Sequence, residues 1–272
     1  MEPVFLFGVD HSGTTVAYRM LAYHPDLAWF SQFTLRDGTI PGRPRRPGAG
    51  LLERRLRFVP HAWDKGDPAW RRWLGPRPGE EGQIWDYLLA DSQSAPAAVR
   101  ECLTAFSERH GGKRVIAKRP AFGRHLEVLG EAFPRARFVH IVRDGRPVAM
   151  SLGAKFIAAG SPGNPPPRAA ALLAAAREWV EALDRAAAAA PKLALLEFRF
   201  EDFCSDVHGA LRTLLNHAEL DPEVFPFGRC PRTLELRNAR WLESASEREL
   251  AEVSAVEHEK LVRHGYEPAS LN

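Results

Sequence analysis

The stretch GVDHSGTT, Gly8 to Thr15, has the spacing of a phosphate-binding loop: a glycine, four residues, then a second glycine. Backbone N–H groups of Ser12 to Thr15 are expected to point inward, where the N-terminus of a following helix adds positive potential. Such a cradle holds an anion without a metal. Nucleotide hydrolases place a lysine directly after the second glycine, to reach the terminal phosphates, and a hydroxyl to hold Mg²⁺. Here Thr14 stands in the lysine's place, while hydroxyls remain on Ser12, Thr14 and Thr15. The loop therefore suits a phosphate-like group that needs no Mg²⁺ better than a γ-phosphate awaiting hydrolysis.

A second constellation lies in FVHIVRDGRPVAMSLGAK, Phe138 to Lys155. Arg143 follows an apolar run, at the carboxyl end of a strand, where open α/β sheets bind ligands. Asp144 suits a helix N-cap and Pro147 a first turn. Ser151 and Lys155 lie one turn apart on one helical face. With Arg143 supplying a charge-assisted fork, the three can converge on a second phosphate. Two anion sites on one sheet predict a ligand with phosphates at two separate places.

The elements that must position these residues follow from periodicity. Val4 to Phe7 is a continuous apolar run stopped by a glycine, the pattern of a buried parallel strand. Arg114 to Ala117, Arg137 to Val142 and Leu193 to Phe198 read as further strands. Helical spacing covers Thr14 to Tyr23, Leu126 to Phe133, Pro147 to Phe156, Arg168 to Ala189, Val207 to His217 and Glu247 to His264. This alternation predicts the α/β class: a P-loop-like parallel sheet flanked by helices on both faces. Residues from about 33 to 95 break the rhythm with Pro, Gly, Arg and Trp. We expect them to form an insertion serving as a substrate lid on a single domain of residues 1–272. Its tryptophans, Trp63, Trp70, Trp73 and Trp85, ask for burial or a ligand. GSPGNPPPR, Gly160 to Arg168, reads as a second loop.

The 272 residues, 45% apolar and 26% charged, describe an ordinary globular chain. A net charge of +3 suits an anionic ligand and is too small to argue for nucleic acid. Cys102, Cys204 and Cys230 form neither a zinc signature nor a disulfide framework, which points to reduced thiols and a cytoplasmic setting. MEPVFLFGVD lacks the basic leader and long apolar core of a signal peptide. No run approaches the roughly 20 apolar residues of a membrane span.

The pair GVDHSGTT…HPDL and FVHIVRDGRPVAMS resembles the two nucleotide-binding motifs of sulfotransferases that use 3′-phosphoadenosine 5′-phosphosulfate (PAPS). LEFRFEDFCSD, Leu196 to Asp206, is similar to the family's "YED" strand end and the helix after it. NARWLESASERELAEV…HGYE, Asn238 to Glu267, is similar to its C-terminal Trp segment, last helix and Gly-Tyr. The closest flavour is the branch with tyrosylprotein and bacterial sulfotransferases, whose motif also reads RDGR. The resemblance implies that Asp10, His11, Ser12, Gly13, Thr14 and Thr15 hold the 5′ end of PAPS. It implies that Arg143 and Ser151 hold the 3′-phosphate, and that Lys155, Phe200, Asn238 and Arg240 complete the nucleotide site. PAPS is then a co-substrate, 3′-phosphoadenosine 5′-phosphate (PAP) a product, and no metal is required.

Sulfuryl transfer builds charge on the leaving phosphate oxygen, where a cation stabilises it by several kcal/mol. His11 stands where family members carry Arg or Lys, and Lys118, in VIAKRP, matches a family lysine that contacts the sulfuryl group. A base must also take the acceptor's proton. The family's glutamate would fall near Ser31 and Gln32, and neither can act. The insertion offers Asp37, His61, Asp64, Glu80, Glu81 and Asp86 instead; His61 is preferred, because imidazole suits the task near neutral pH. At Phe200 a phenylalanine replaces the family's tyrosine.

Two rival readings stand beside this one. A P-loop kinase or NTPase needs the loop lysine and an aspartate ending an apolar strand, yet RFVHIV runs into Arg143. A PAP-binding protein that transfers nothing would account for the missing loop cation and the missing glutamate. The acceptor is left open among small molecules, glycans and peptides; the stretch GRPRRPGAGLLERRLR also admits an anionic partner. Oligomeric state is likewise left open.

Overall fold

A computed structural model describes residues 2–31, 34, 78–80, 82–160 and 165–267, apart from the side chains of residues 240 and 241. Its centre is β1, Val4–Phe7, buried at every position. β2 (Leu27–Trp29), β3 (Arg114–Lys118), β4 (Arg137–Val142) and β5 (Ala194–Arg199) complete a five-stranded sheet in the order β2-β3-β1-β4-β5. All the pairings are parallel. A parallel sheet needs helical crossovers, and these cover both faces.

The pleat divides the core. Leu6, Ile116, Val139 and Ile141 face one side and pack against α1 (Thr14–Leu21), α7 (Phe200–Ser205) and α8 (Val207–His217). Phe5, Phe7, Ala117 and Phe138 face the other, against α2 (Gly82–Leu88), α3 (Ala95–Arg109) and α4 (Leu126–Ala132). A third cluster joins Val142 to α5 (Gly145–Ala159), α6 (Arg168–Ala189) and α10 (Glu247–Arg263). A short α9, Asn238–Leu242, precedes α10. Register sets Leu6 beside Lys118, Phe7 beside His140 and Val142 beside Arg199. Residues just past these pairs therefore meet at the carboxyl edge of the sheet.

The four strands expected from sequence are present, with β3 running on to Lys118 and β5 shifted to Ala194–Arg199. β2 was not expected: three residues between HPD and FS give too short a pattern to read. α3 was also not expected, although Pro96 in its first turn and buried Val99, Leu103 and Phe106 supply both a start signal and a face. α5 begins at Gly145 because Asp144 caps it, its Oδ1 accepting from the Arg146 N–H at 3.0 Å.

Within the stretch expected to be a lid, Trp85 belongs to the core instead. Its ring meets Phe122 at 4.7 Å, Phe30 at 5.8 Å and Phe5 at 6.3 Å, all edge-on. Trp63, Trp70, Trp73, His61, Asp37, Asp64 and Glu81 lie outside the described residues. Cys102, Cys204 and Cys230 are buried. Among the described residues no helix is long and apolar enough to cross a membrane.

Candidate active site

The loop after β1 turns through two left-handed residues, His11 at φ 71° and Gly13 at φ 85°. That conformation is costly for a non-glycine residue, so the loop's shape at His11 is imposed by its surroundings. At Gly13 glycine is required twice over: by φ, and because a Cβ would collide with the Phe200 ring. The Ser12 N–H is spent on the Val9 carbonyl at 3.0 Å. The Ser12 hydroxyl is buried with no hydrogen-bond partner among the described residues. A buried unpartnered hydroxyl is costly unless a ligand meets it.

The ammonium missing from position 14 arrives from β3. Lys118, 2% exposed, extends Nζ to 3.0 Å from Thr15 Oγ1 and forms an ion pair with Glu80. Burial lowers the lysine's pKa, and the Glu80 carboxylate opposes that effect. Glu80 is delivered by the chain returning to the sheet: Pro78 pairs antiparallel with Ser31, and the Gly79 N–H donates to the Phe30 carbonyl at 2.9 Å. A carboxylate thus stands beside the end of β2, the region where sequence comparison placed only Ser31 and Gln32.

At the opposite end, Arg143 donates from Nε to Asn238 Oδ1 at 2.9 Å and from Nη1 to the His11 carbonyl at 2.8 Å. Its guanidinium lies 5.3 Å from the Phe200 ring centre. Glu201 fastens this corner. Its Oε1 accepts from the Asp144 N–H at 3.1 Å and from Asn238 Nδ2 at 3.0 Å, and its Oε2 accepts from the Tyr266 hydroxyl at 2.8 Å. Glu201 and Tyr266 were not expected to act here; their only sequence signal was the family likeness of their segments. Beneath the turn, Glu257 of α10 is buried against Gly145 with neither oxygen partnered. Burial, then the neighbouring Asp144, pushes its pKa well above the ordinary value.

Some of these groups line one cleft of about 660 Å³, while Ser12, Glu201, Asn238, Tyr266 and Glu257 stand behind its wall. Gly13, Thr14 and Thr15 meet Lys118, Arg143, Ser151 and Phe200 there. Asp10 and Lys155 also border it, joined in an ion pair. Leu234 and Arg237, unexpected from sequence, close a side; the Leu234 N–H is held by the Cys204 carbonyl at 2.8 Å. Asn238 acts behind Arg143, and the Arg240 side chain lies outside the described residues. His11 borders the cleft as well, and its pKa is lowered, chiefly by burial against the opposing pull of Asp10. Its ring is therefore neutral at neutral pH, a hydrogen-bonding group and not a cation. Among the described residues no group of three or more His, Cys, Asp or Glu could hold a metal ion.

A five-stranded parallel sheet flanked by helices, with a left-handed glycine turn after β1 and a capped arginine turn after β4, defines an α/β class of fold. The Sulfotransferase family model matches residues 3–224, and the chain belongs to that family. No curated protein sequence matches it. Among solved structures, a sulfotransferase from Mycobacterium avium superposes with a TM-score of 0.64 at 16% identity, covering 96% of this chain and 76% of that one. One from Mycobacterium tuberculosis H37Rv gives 0.59 at 18% identity, covering 94% and 75%. The sulfotransferase domain from the curacin biosynthetic pathway gives 0.51 at 13% identity, covering 98% of each chain.

Proposed function

We infer that the protein transfers a sulfuryl group from PAPS to an acceptor hydroxyl or amine and releases PAP. The observation that carries this reading is the single cleft with a separate cationic group at each end, Lys118 beside the loop and Arg143 beside Ser151. PAPS, when bound, supplies an activated sulfuryl group. Ser12, Gly13, Thr14 and Thr15 hold its 5′ end, with the buried Ser12 hydroxyl and the loop N–H groups as donors. Arg143 and Ser151 take the 3′-phosphate, and Phe200 and Leu234 offer apolar walls to the base. The ammonium already bonded to Thr15 occupies the position from which an NTPase hydroxyl would reach Mg²⁺, which favours a metal-free donor.

In the transfer the sulfur–oxygen bond to the phosphate breaks and one to the acceptor oxygen forms. Lys118 stabilises the charge left on the phosphate oxygen. Glu80 takes the acceptor's proton, the place sequence reasoning preferred to give His61. The half-exposed Glu80 carboxylate and the buried ammonium beside it put base and cation in contact before any ligand arrives.

Calorimetric titration with PAP and with ATP, each with and without Mg²⁺, tests the reading. Tight PAP binding indifferent to Mg²⁺, with weak ATP binding, is expected. Mg²⁺-dependent ATP binding with no preference for PAP would overturn it. Glu80→Gln separates transfer from mere PAP binding: kcat should fall by about 10²–10⁴-fold at unchanged PAP affinity.

A further inference from the structure

A second cavity of about 380 Å³ adjoins the cleft and shares Asp10, Glu80 and Lys155 with it. It lies on the Phe7 face of the sheet, between the turn after β3 and helices α5 and α6. Given the transfer reaction inferred above, on which this step rests, a molecule there would reach Glu80 beside the first residues of the donor loop, Gly8 to Asp10. We propose that this cavity holds the acceptor, that the acceptor is a neutral polyhydroxylated small molecule of the sugar type, and that His140 reads one of its hydroxyls.

The charge pattern argues for neutrality. Every cation lining the cavity already has a carboxylate. Arg119 is paired with Asp86 and Lys155 with Asp10. Arg124 and Arg185 share Glu178, at 2.7 and 3.0 Å, and Arg185 reaches Glu181 at 3.3 Å. An anionic or cationic ligand would have to compete with these pairs, whose members are partly or fully exposed, and finds no unpaired charge among them. A ligand rich in hydroxyls needs no such exchange. Each hydroxyl both donates and accepts, so it can use the spare donors of the guanidiniums and the spare lone pairs of the carboxylates. Leu152, Phe156 and Ala182 supply the apolar wall against which the C–H face of a ring can lie. The volume sits at the low end of the ~300–1,000 Å³ of small-molecule sites, which suits one or two rings and not a folded polypeptide.

His140 gives the floor a direction. Its ring stacks on Phe7 at 4.7 Å with planes 7° apart. Nδ1 lies 3.1 Å from Glu197 Oε2, and the other oxygen of Glu197 lies 2.9 Å from His264 Nε2. Burial opposes ionisation of Glu197, but the hydrogen bonds from His140 and His264 outweigh it and hold its pKa far below the usual carboxylate range. An ionised Glu197 accepts only, so His140 carries its proton on Nδ1. Nε2 has no partner among the described residues, on a ring that lines the cavity. A ring nitrogen held in this way pairs with a hydroxyl, which can both donate and accept, and is wasted on a hydrocarbon.

The test uses the full chain, ¹⁵N-labelled at histidine and saturated with PAP. It is titrated with methyl α-D-glucopyranoside and maltose, and in parallel with 4-methylphenol and D-glucuronate. The sugars should shift the His140 Nε2 resonance and bind at least tenfold more tightly than either comparator. His140→Phe, which keeps the stack on Phe7, should weaken sugar binding at least tenfold while leaving PAP affinity unchanged. Glu197→Ala, which keeps the ring but removes the acceptor of Nδ1, should act in the same direction. If either variant fails to fold, the wild-type spectrum and ligand panel decide alone. An unmoved His140 resonance, or comparators binding as tightly as the sugars, overturns this inference and leaves the donor reading standing. Failure of PAP itself to bind overturns the donor reading and the inference with it.

Discussion

Two of the cations lining the cleft, Arg143 and Lys118, are held in opposite ways. Arg143 is fixed by neutral acceptors, the Asn238 amide oxygen and the His11 carbonyl, and by the face of Phe200. Its direct hydrogen bonds leave its charge uncancelled and its orientation set. Lys118 is fixed by a carboxylate and a hydroxyl, Glu80 and Thr15, and is more deeply buried. Its charge is balanced until something displaces the carboxylate. The first arrangement suits steady attraction of an anion. The second suits a step in which charge appears and moves, because the ammonium and its partner can separate their roles as the reaction proceeds.

That contrast breaks down if the two ends respond alike to substitution. Of the two cations, Lys118→Ala should have the larger effect on turnover, a fall in kcat of about 10²–10³-fold with PAP affinity changed far less. Steady-state kinetics beside calorimetry reads both; an effect confined to KM would make Lys118 a binding group. Arg143→Ala should do the reverse, weakening PAP by about 1.5–3 kcal/mol, the size of a charged hydrogen bond. Undiminished PAP affinity in that variant would remove the second anion site.

Beneath the Arg143 end, Glu257→Gln sharpens the comparison by touching support and not contact. Because the folded-state pKa of Glu257 lies above its unfolded value, its contribution to stability is full at low pH and is lost as pH rises from the unfolded value through the folded one. The variant should flatten that slope. It should melt about 2–4 °C higher than wild type at pH 8 for each ~1 kcal/mol recovered, with less gain at pH 5. Equal shifts at both pH values would mean that the carboxyl is not the titrating group. The smallest effect belongs to His11→Gln, expected to lower kcat less than about tenfold, since a ring kept neutral by burial contributes no full charge to the transition state. A loss as large as that from Lys118→Ala would show that the imidazolium is used after all.

At the Arg143 end, only the strand, the turn and the helix after it were readable in sequence. Arg143, Asp144 and Ser151 sit in one contiguous stretch, where an apolar run, a capping aspartate and a helical spacing announce them together, whereas Glu201 and Tyr266, which fasten the corner, come from distant segments. The Lys118 end was only half readable. Lys118 closes a recognisable strand, but Glu80 reaches it through an antiparallel bridge between Ser31 and Pro78, and no local pattern records such a pairing. Among the acidic residues of the insertion nothing in sequence set Glu80 apart. For Trp85 sequence left burial or a ligand open, and the choice was illegible for a related reason: the phenylalanines around it come from three distant segments. His140 was passed over because a histidine inside an apolar strand looks like filler; its role depends on Glu197, one strand away.

The contact between Gly13 and Phe200 also sets a timetable for synthesis. The anion loop is made first by the ribosome, yet its glycine is pressed by a ring translated much later, and the arginine across from it waits for Asn238 and for the Tyr266 hydroxyl on Glu201. Contacts this far apart in sequence form slowly and late. A nascent or truncated chain ending near residue 230 would therefore display both nucleotide motifs in full and still be unable to retain a nucleotide.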